Sequence, residues 1–299
     1  MKLALGTAQL GMTYGIANQT GMPNANEAYK ILEYALDHGV SAWDTAPVYG
    51  ESERRIGDFL KSSNRQARVL TKLPPLSSEL EVDSLYDRLR HSIRESQSKL
   101  GVSSLDSCLL HSPSNLFSHN GKVVEALIEL KKAGEIKRVG VSTYTPDEAK
   151  AFLNIEGLDV IQLPINIMDQ RLERQGILNQ LTQKNVTIYA RSTYLQGLLL
   201  MNLDSLPERM HHFSPYLVEF IQLAKEFNLT QAELALLYIR DFYRVDYLIV
   251  GCESLEQLKE NIRIINLPAL PKDIKEKAEK LFFSVPESIL NPSKWEVSK

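Results

Sequence analysis

Cysteine is nearly missing from this 299-residue chain: there are two, Cys108 and Cys252, each set inside an apolar run. No disulfide framework is built from such a pair, so the expectation is two small buried side chains in a reducing, cytoplasmic compartment. An excess of charge of one sign is missing too. With 34 Lys and Arg against 37 Asp and Glu, the formal net charge is -3, and no block of five like charges occurs. Nothing here offers an electrostatic footprint for nucleic acid or for an acidic membrane surface, which leaves small neutral or polar molecules as partners. Long hydrophobic runs are absent as well. No stretch approaches the ~18 apolar residues of a membrane span, and the opening MKLALGTAQLGMTYG breaks into Gly and polar residues too soon for a signal-peptide core. Low-complexity linkers and fixed repeats are also lacking, so nothing marks a domain boundary.

What is present is an alternation. Short β-rich apolar runs occur at 2–8, 41–46, 68–73, 105–111, 136–142, 158–164, 186–191 and 246–251. Between them lie amphipathic stretches of helical period at 26–39, 52–62, 82–101, 121–134, 146–154, 173–184, 215–227, 230–240 and 254–264. In the first of these Ala28, Ile31, Leu32 and Ala35 keep to one face and Gly39 stands as a C-cap. Strands that alternate with crossover helices pair in parallel. Eight such units over about 265 residues match a (β/α)8 TIM barrel in number and length, where a doubly wound sheet uses fewer strands. The expectation is an α/β chain forming one barrel domain over 1–299, with a C-terminal tail from about 271.

In such a barrel chemistry gathers at the carboxyl ends of the strands. Asp44 ends the second predicted strand, Tyr49 follows in its loop, Lys72 closes the third and His111 the fourth, so all four converge on one rim. Each residue alone has an ordinary explanation, Asp44 as a helix cap and Tyr49 as packing. A Lys beside an apolar strand, however, needs a partner, and Asp44 is placed to be one. Together they suit proton delivery to a carbonyl. A phenol of pKa near 10 is a poor acid-base catalyst at neutral pH, and an adjacent ammonium is expected to lower that value. The reading gives Tyr49 the proton, Lys72 and Asp44 its tuning, and His111 either the substrate oxygen or a part in the proton relay.

The segments WDTAPVYGESE, TKLPP, LLHSP, VGVST, IQLPIN and LIVGCESLEQLKEN, in that order, resemble the motifs of the aldo-keto reductases. The resemblance runs from Leu5 to about Asn261. It implies an NAD(P)H-dependent reductase of an aldehyde or ketone, with no metal, NADPH or NADH as cofactor, and the four rim residues in the roles just given. It places Ser142 and Gln162 at the nicotinamide carboxamide, although VST stands where VSN is usual and leaves Thr143 at one contact. Arg191, followed by Ser192, occupies the position where many members stack a Tyr on the nicotinamide. A guanidinium can stack similarly, or pair with a carboxylate at the strand end. LQGLLL, with Gly197, matches the loop over the pyrophosphate. Gly251, Cys252, Glu253, Gln257, Glu260 and Asn261 fall in the adenosine-binding segment, where a strand leads into a helix N-terminus. Members that prefer NADPH carry Lys or Arg in that stretch. Here Glu253 and Gln257 stand instead, which favours NADH or dual use. The opening LGTAQLGMTYGIAN is similar to reductases of sugar pathways and favours a sugar-like or hydroxylated carbonyl.

Two other readings compete. A Schiff-base lyase using Lys72 as nucleophile explains Lys72 and Asp44 but leaves Tyr49 and the adenosine-like segment without a role. A non-catalytic, cofactor-sensing barrel subunit explains the segment but not the retention of all four catalytic residue types.

Overall fold

A computed structural model describes residues 1–76 and 82–295; residues 77–81 and 296–299, the last of the expected tail, lie outside it. Eight strands, β1 (Lys2–Gly6), β2 (Ala42–Asp44), β3 (Arg68–Leu73), β4 (Ser107–Leu110), β5 (Val139–Ser142), β6 (Val160–Pro164), β7 (Thr187–Arg191) and β8 (Tyr247–Gly251), close in sequence order into a parallel barrel. The expected (β/α)8 architecture is the one found. Helices follow the sequence period, and their starts are fixed locally: Asn24, Thr145 and Thr230 each cap a helix reciprocally with a Glu three residues on.

One expectation needs correction. The stretch 173–184 is not one helix but two, Arg171–Arg174 and Ile177–Gln183, because Gly176 takes φ 67 and ends the first turn. The expected C-terminal tail from about 271 packs onto the barrel. It forms a helix, Asp273–Leu281, that buries Ile274 and Ala278, and Gln170 Nε2 and Arg174 Nη1 donate to the carbonyls of Ala278 and Phe283 at 2.9 and 2.7 Å.

Because strand side chains alternate, each strand contributes to two layers. Trp43, Val69, Cys108, Val141 and Ile161 join the large core between barrel and helices. The barrel interior is a separate cluster of Ala4, Ala42, Leu70, Leu109, Val160, Tyr189, Tyr247 and Ile249. Tyr189 and Tyr247 stack with ring centroids 4.4 Å apart, and small residues face them from other strands. At Gly140 a Cβ would lie 1.7 Å from the Val160 carbonyl oxygen, so β5 offers no side chain at all there. This plug closes the barrel, and the next inward residue on each strand, two positions on, stands above it: Gly6, Asp44, Lys72, His111, Ser142, Gln162, Arg191 and Gly251. The period of two thus delivers one residue from every strand to a single layer at the carboxyl end.

Candidate active site

Lys72 lies in that layer with 1% of its surface exposed, and its ammonium donates to Asp44 Oδ1 at 2.6 Å, to the Thr45 carbonyl at 3.0 Å and to Tyr49 Oη at 3.3 Å. A buried charge is tolerable only when paired and hydrogen-bonded, and all three contacts serve that end. Asp44 Oδ1 also accepts from Gln162 Nε2 at 2.7 Å across the barrel, and Ser142 Oγ donates to Gln162 Oε1 at 3.1 Å. One hydrogen-bonded chain therefore runs Ser142–Gln162–Asp44–Lys72–Tyr49. The Tyr49 loop is held from below: Glu51 N donates to Gly11 O at 3.1 Å, and a Cβ at Gly11 would meet the Tyr49 carbonyl at 1.9 Å. Only glycine lets the loops after β1 and β2 approach so closely.

The electrostatics reverse one expectation. Tyr49 is not lowered by Lys72. Burial first, and the Asp44 carboxylate second, push the phenol above its ordinary value, and Arg191 offsets that only in part. Burial is the larger cause, and the 2.6 Å ion pair sets the Asp44 carboxylate against the Lys72 ammonium, so the ammonium alone does not decide the sign at the phenol. Tyr49 keeps its proton at neutral pH. His111 sits edge-on to Tyr49 at 6.1 Å between ring centroids, and its Nδ1 is buried without a partner. Burial, then the Lys72 charge, lower its pKa to about 4, so the imidazole is neutral in the physiological range.

From Asp44 and Tyr49 a cavity of about 530 Å³ runs along Arg191, Ser192, Thr193 and Gly197 to Gly251, Glu253, Gln257, Glu260 and Asn261. Several of the residues that the resemblance placed at a cofactor thus share one trough. Its size suits a dinucleotide-class ligand, and its walls show further signs of a ligand. Thr193 lines it with a buried, unpartnered Oγ1. Ser192, Leu195 and Gln196 all hold positive φ, an arrangement that carries strain in non-glycine residues and is kept where a site needs it. At Gly197, φ is 91 and a Cβ would approach that of Ala17 to 2.6 Å. Ser254 accepts from Gln257 N at 3.2 Å and opens the helix Leu255–Ile265, whose free N–H groups face an anion readily.

Other expected residues take different places. Cys252 is 1% exposed within the outer core, and burial pushes its thiol up to about 12, so the side chain is no part of the trough. Thr143 is wholly buried with its hydroxyl on the Gln162 carbonyl at 3.4 Å. Among the described residues no carboxylate pairs with Arg191; it donates to Thr143 O at 2.9 Å and Ser192 Oγ at 3.1 Å and lies 4.5 Å from the Tyr144 ring centroid. Gln257 Oε1 accepts from Glu253 N at 2.7 Å, Glu260 pairs with Arg263 at 2.7 Å, and Asn261 Oδ1 accepts from Tyr194 Oη at 2.6 Å. Gln9, Ala17, Thr193, Tyr194 and Glu256 also line the trough and were not singled out from the sequence. Gln9 had a findable signal, since it follows the end of β1 as Tyr49 follows β2.

A family model, described as the aldo/keto reductase family, matches residues 2–281. The chain belongs to the aldo/keto reductase family. It is 25% identical over 288 residues to YqkF, an oxidoreductase of Bacillus subtilis, covering 91% of this chain and 93% of that one. To the NADH-specific methylglyoxal reductase of Escherichia coli it is 27% identical over 260 residues, covering 77% and 79%. Among solved structures the glycerol dehydrogenase of Gluconobacter oxydans aligns with a TM-score of 0.72 at 25% identity, over 93% of this chain and 90% of that one. This aldo/keto reductase is accordingly an NAD(P)H-dependent oxidoreductase acting on carbonyl groups, and no helix among its described residues is long and apolar enough to cross a membrane.

Proposed function

We propose that the chain reduces a small, hydroxylated aldehyde or ketone, with Tyr49 giving the proton to the carbonyl oxygen and NADH, or either nicotinamide cofactor, supplying the hydride when bound. The observation that carries this reading is Tyr49 Oη 3.3 Å from Lys72 Nζ at the head of the 530 Å³ trough. A phenol held protonated is an acid throughout the physiological range, and it becomes effective when an alkoxide forms beside it. Lys72 stands ready to donate to the phenolate that results, while Asp44 and Gln162 hold Lys72 in place. A neutral His111 has one ring N–H to offer the carbonyl oxygen and carries no charge that would compete with Tyr49 as acid. Ser142 and Gln162, bonded to each other beneath Asp44, would meet the carboxamide of the cofactor with their remaining donor and acceptor capacity.

The far end of the trough supports NADH. Glu253, Glu256 and Glu260 line it, Arg263 is taken up by Glu260 and Glu233, and Lys259 lies over the Tyr34 ring at 5.7 Å. Among the described residues that line this end there is no Lys or Arg, so a 2′-phosphate would meet carboxylates first, whereas a 2′-hydroxyl can donate to one. Relatives named for methylglyoxal and glycerol support a small oxygenated substrate. Both cysteines are free and buried, as a reducing cytoplasmic setting favours.

The test is Tyr49→Phe. Carbonyl reduction should fall by more than ~100-fold while reduced cofactor still binds by calorimetry, because only the proton donor is lost. Near-normal turnover in that variant removes the mechanism. The Schiff-base alternative is tested separately, by borohydride trapping of a substrate adduct on Lys72, and none is expected.

A further inference from the structure

The charges at the catalytic end do not cancel. Asp44 and Lys72 neutralise each other at 2.6 Å, and His111 is uncharged near neutral pH. Arg191 lines the same cavity as Asp44 and Tyr49, yet its partners are a carbonyl, a hydroxyl and an aromatic face, all neutral. A guanidinium does not deprotonate in proteins, so among the described residues this end of the trough carries one uncompensated positive charge.

That charge acts on whatever changes charge beside it. If the reductase reading holds, on which this inference rests, hydride donor and proton donor must reach the same carbonyl group. A nicotinamide ring bound there would lie at the Tyr49 end, on the side of the trough that Arg191 lines. The ring is neutral when reduced. On giving a hydride to the carbonyl carbon, while Tyr49 gives its proton to the carbonyl oxygen, the ring becomes a cation, and Tyr49 recovers a proton from solvent. The adenosine, riboses and pyrophosphate keep the same charge in both states, so their contacts drop out of the affinity ratio. We propose that Arg191 makes the site distinguish the redox states of its cofactor, holding the reduced, neutral ring in preference to the oxidised, cationic one. The chain is thereby set toward carbonyl reduction and toward release of spent cofactor. Two unit charges roughly 5–6 Å apart, at dielectrics between those of a protein surface and water, alter the ratio on the order of tenfold.

The experiment is calorimetric binding of NADH and NAD⁺, without substrate, to the wild type and to Arg191→Gln, Arg191→Tyr and Arg191→Lys. The wild type should bind NADH more tightly. Arg191→Gln and Arg191→Tyr should each narrow the NAD⁺-to-NADH ratio of Kd values by about tenfold, and Arg191→Lys, which keeps the charge, should leave it within about threefold. Using two neutral replacements guards against one that misfolds. A parallel loss of both affinities at constant ratio means Arg191 holds the pyrophosphate and overturns the proposal. Unchanged affinities for both overturn it too, pointing to an anionic substrate instead. A wild type that binds neither nucleotide removes the reductase reading along with this inference, whereas intact binding at an unaltered ratio removes the inference alone.

Discussion

The two ends of the trough are built on opposite principles. At the Tyr49 end, among the described residues, every charge but one is neutralised inside a buried network, with Asp44, Lys72, Gln162 and Ser142 all nearly inaccessible and linked by hydrogen bonds. At the far end the charges are acidic and more exposed: Glu253, Glu256 and Glu260 line the wall, and the Glu253 carboxylate accepts from Thr20 Oγ1 at 3.2 Å. Electrostatic interactions are strong where water is excluded and weak where it is not. Substitutions at the first end should therefore change both folding and chemistry, while those at the second should change ligand choice and little else.

The largest effect should come from Lys72→Met. It leaves the Asp44 carboxylate buried without its cation, which typically costs about 3–5 kcal/mol, and thermal unfolding should report a Tm loss to match. The lone carboxylate also pushes Tyr49 higher still, so the alkaline limb of the oxidation-direction pH profile should move up as reduction slows. Adding Asp44→Asn should restore part of the stability. If the double variant is no more stable than Lys72→Met, the pair is not the unit described above.

Between the two ends, Gly197→Ala should cost about 1–3 kcal/mol of stability, since alanine at φ 91 is strained and its Cβ meets Ala17 at 2.6 Å. Weaker binding of both cofactors should accompany it. An unperturbed denaturation midpoint would show that the loop yields freely.

At the far end Glu253→Arg should shift kcat/KM toward NADPH by about tenfold, equivalent to ~1.4 kcal/mol, with no measurable change in Tm. Wild-type preference for NADPH that the variant leaves unaltered would sink the contrast between the ends.

The smallest effect concerns His111. With its pKa lowered to about 4, kcat/KM for reduction should be flat from pH 8 down to roughly 5.5, with no limb near the ordinary 6.5. Below 6.5 the unfolded chain takes up a proton on this residue and the folded chain does not. Its contribution to stability is therefore fully present above about 6.5 and is lost as pH falls toward 4. An acid limb near 6.5 would place the imidazole in water rather than beside Lys72.

Much of this was legible in the chain itself. Alternating strand and helix signals read as a barrel because each strand needed a crossover, and Asp44, Tyr49, Lys72 and His111 stood where strands end. One assignment failed on parity. Cys252 neighbours the layer residue Gly251, and with a period of two a neighbour faces the outer core instead. The sign of the Tyr49 shift failed for a different reason. Spacing indicates that an ammonium is near a phenol, but it says nothing about how deeply the phenol is buried or how fully a carboxylate has already claimed that ammonium.

The sequence by itself determined the number of strands and their order, because hydrophobic period and the alternation of strand with helix are local properties. Only the tertiary structure decided which charges at the carboxyl ends of the strands cancel. Asp44 meets Lys72 and Gln162 from strands far apart in sequence, while Arg191 meets only neutral groups among the described residues. Electrostatic energy depends on separations of a few ångströms across the closed barrel, and barrel closure alone sets those separations.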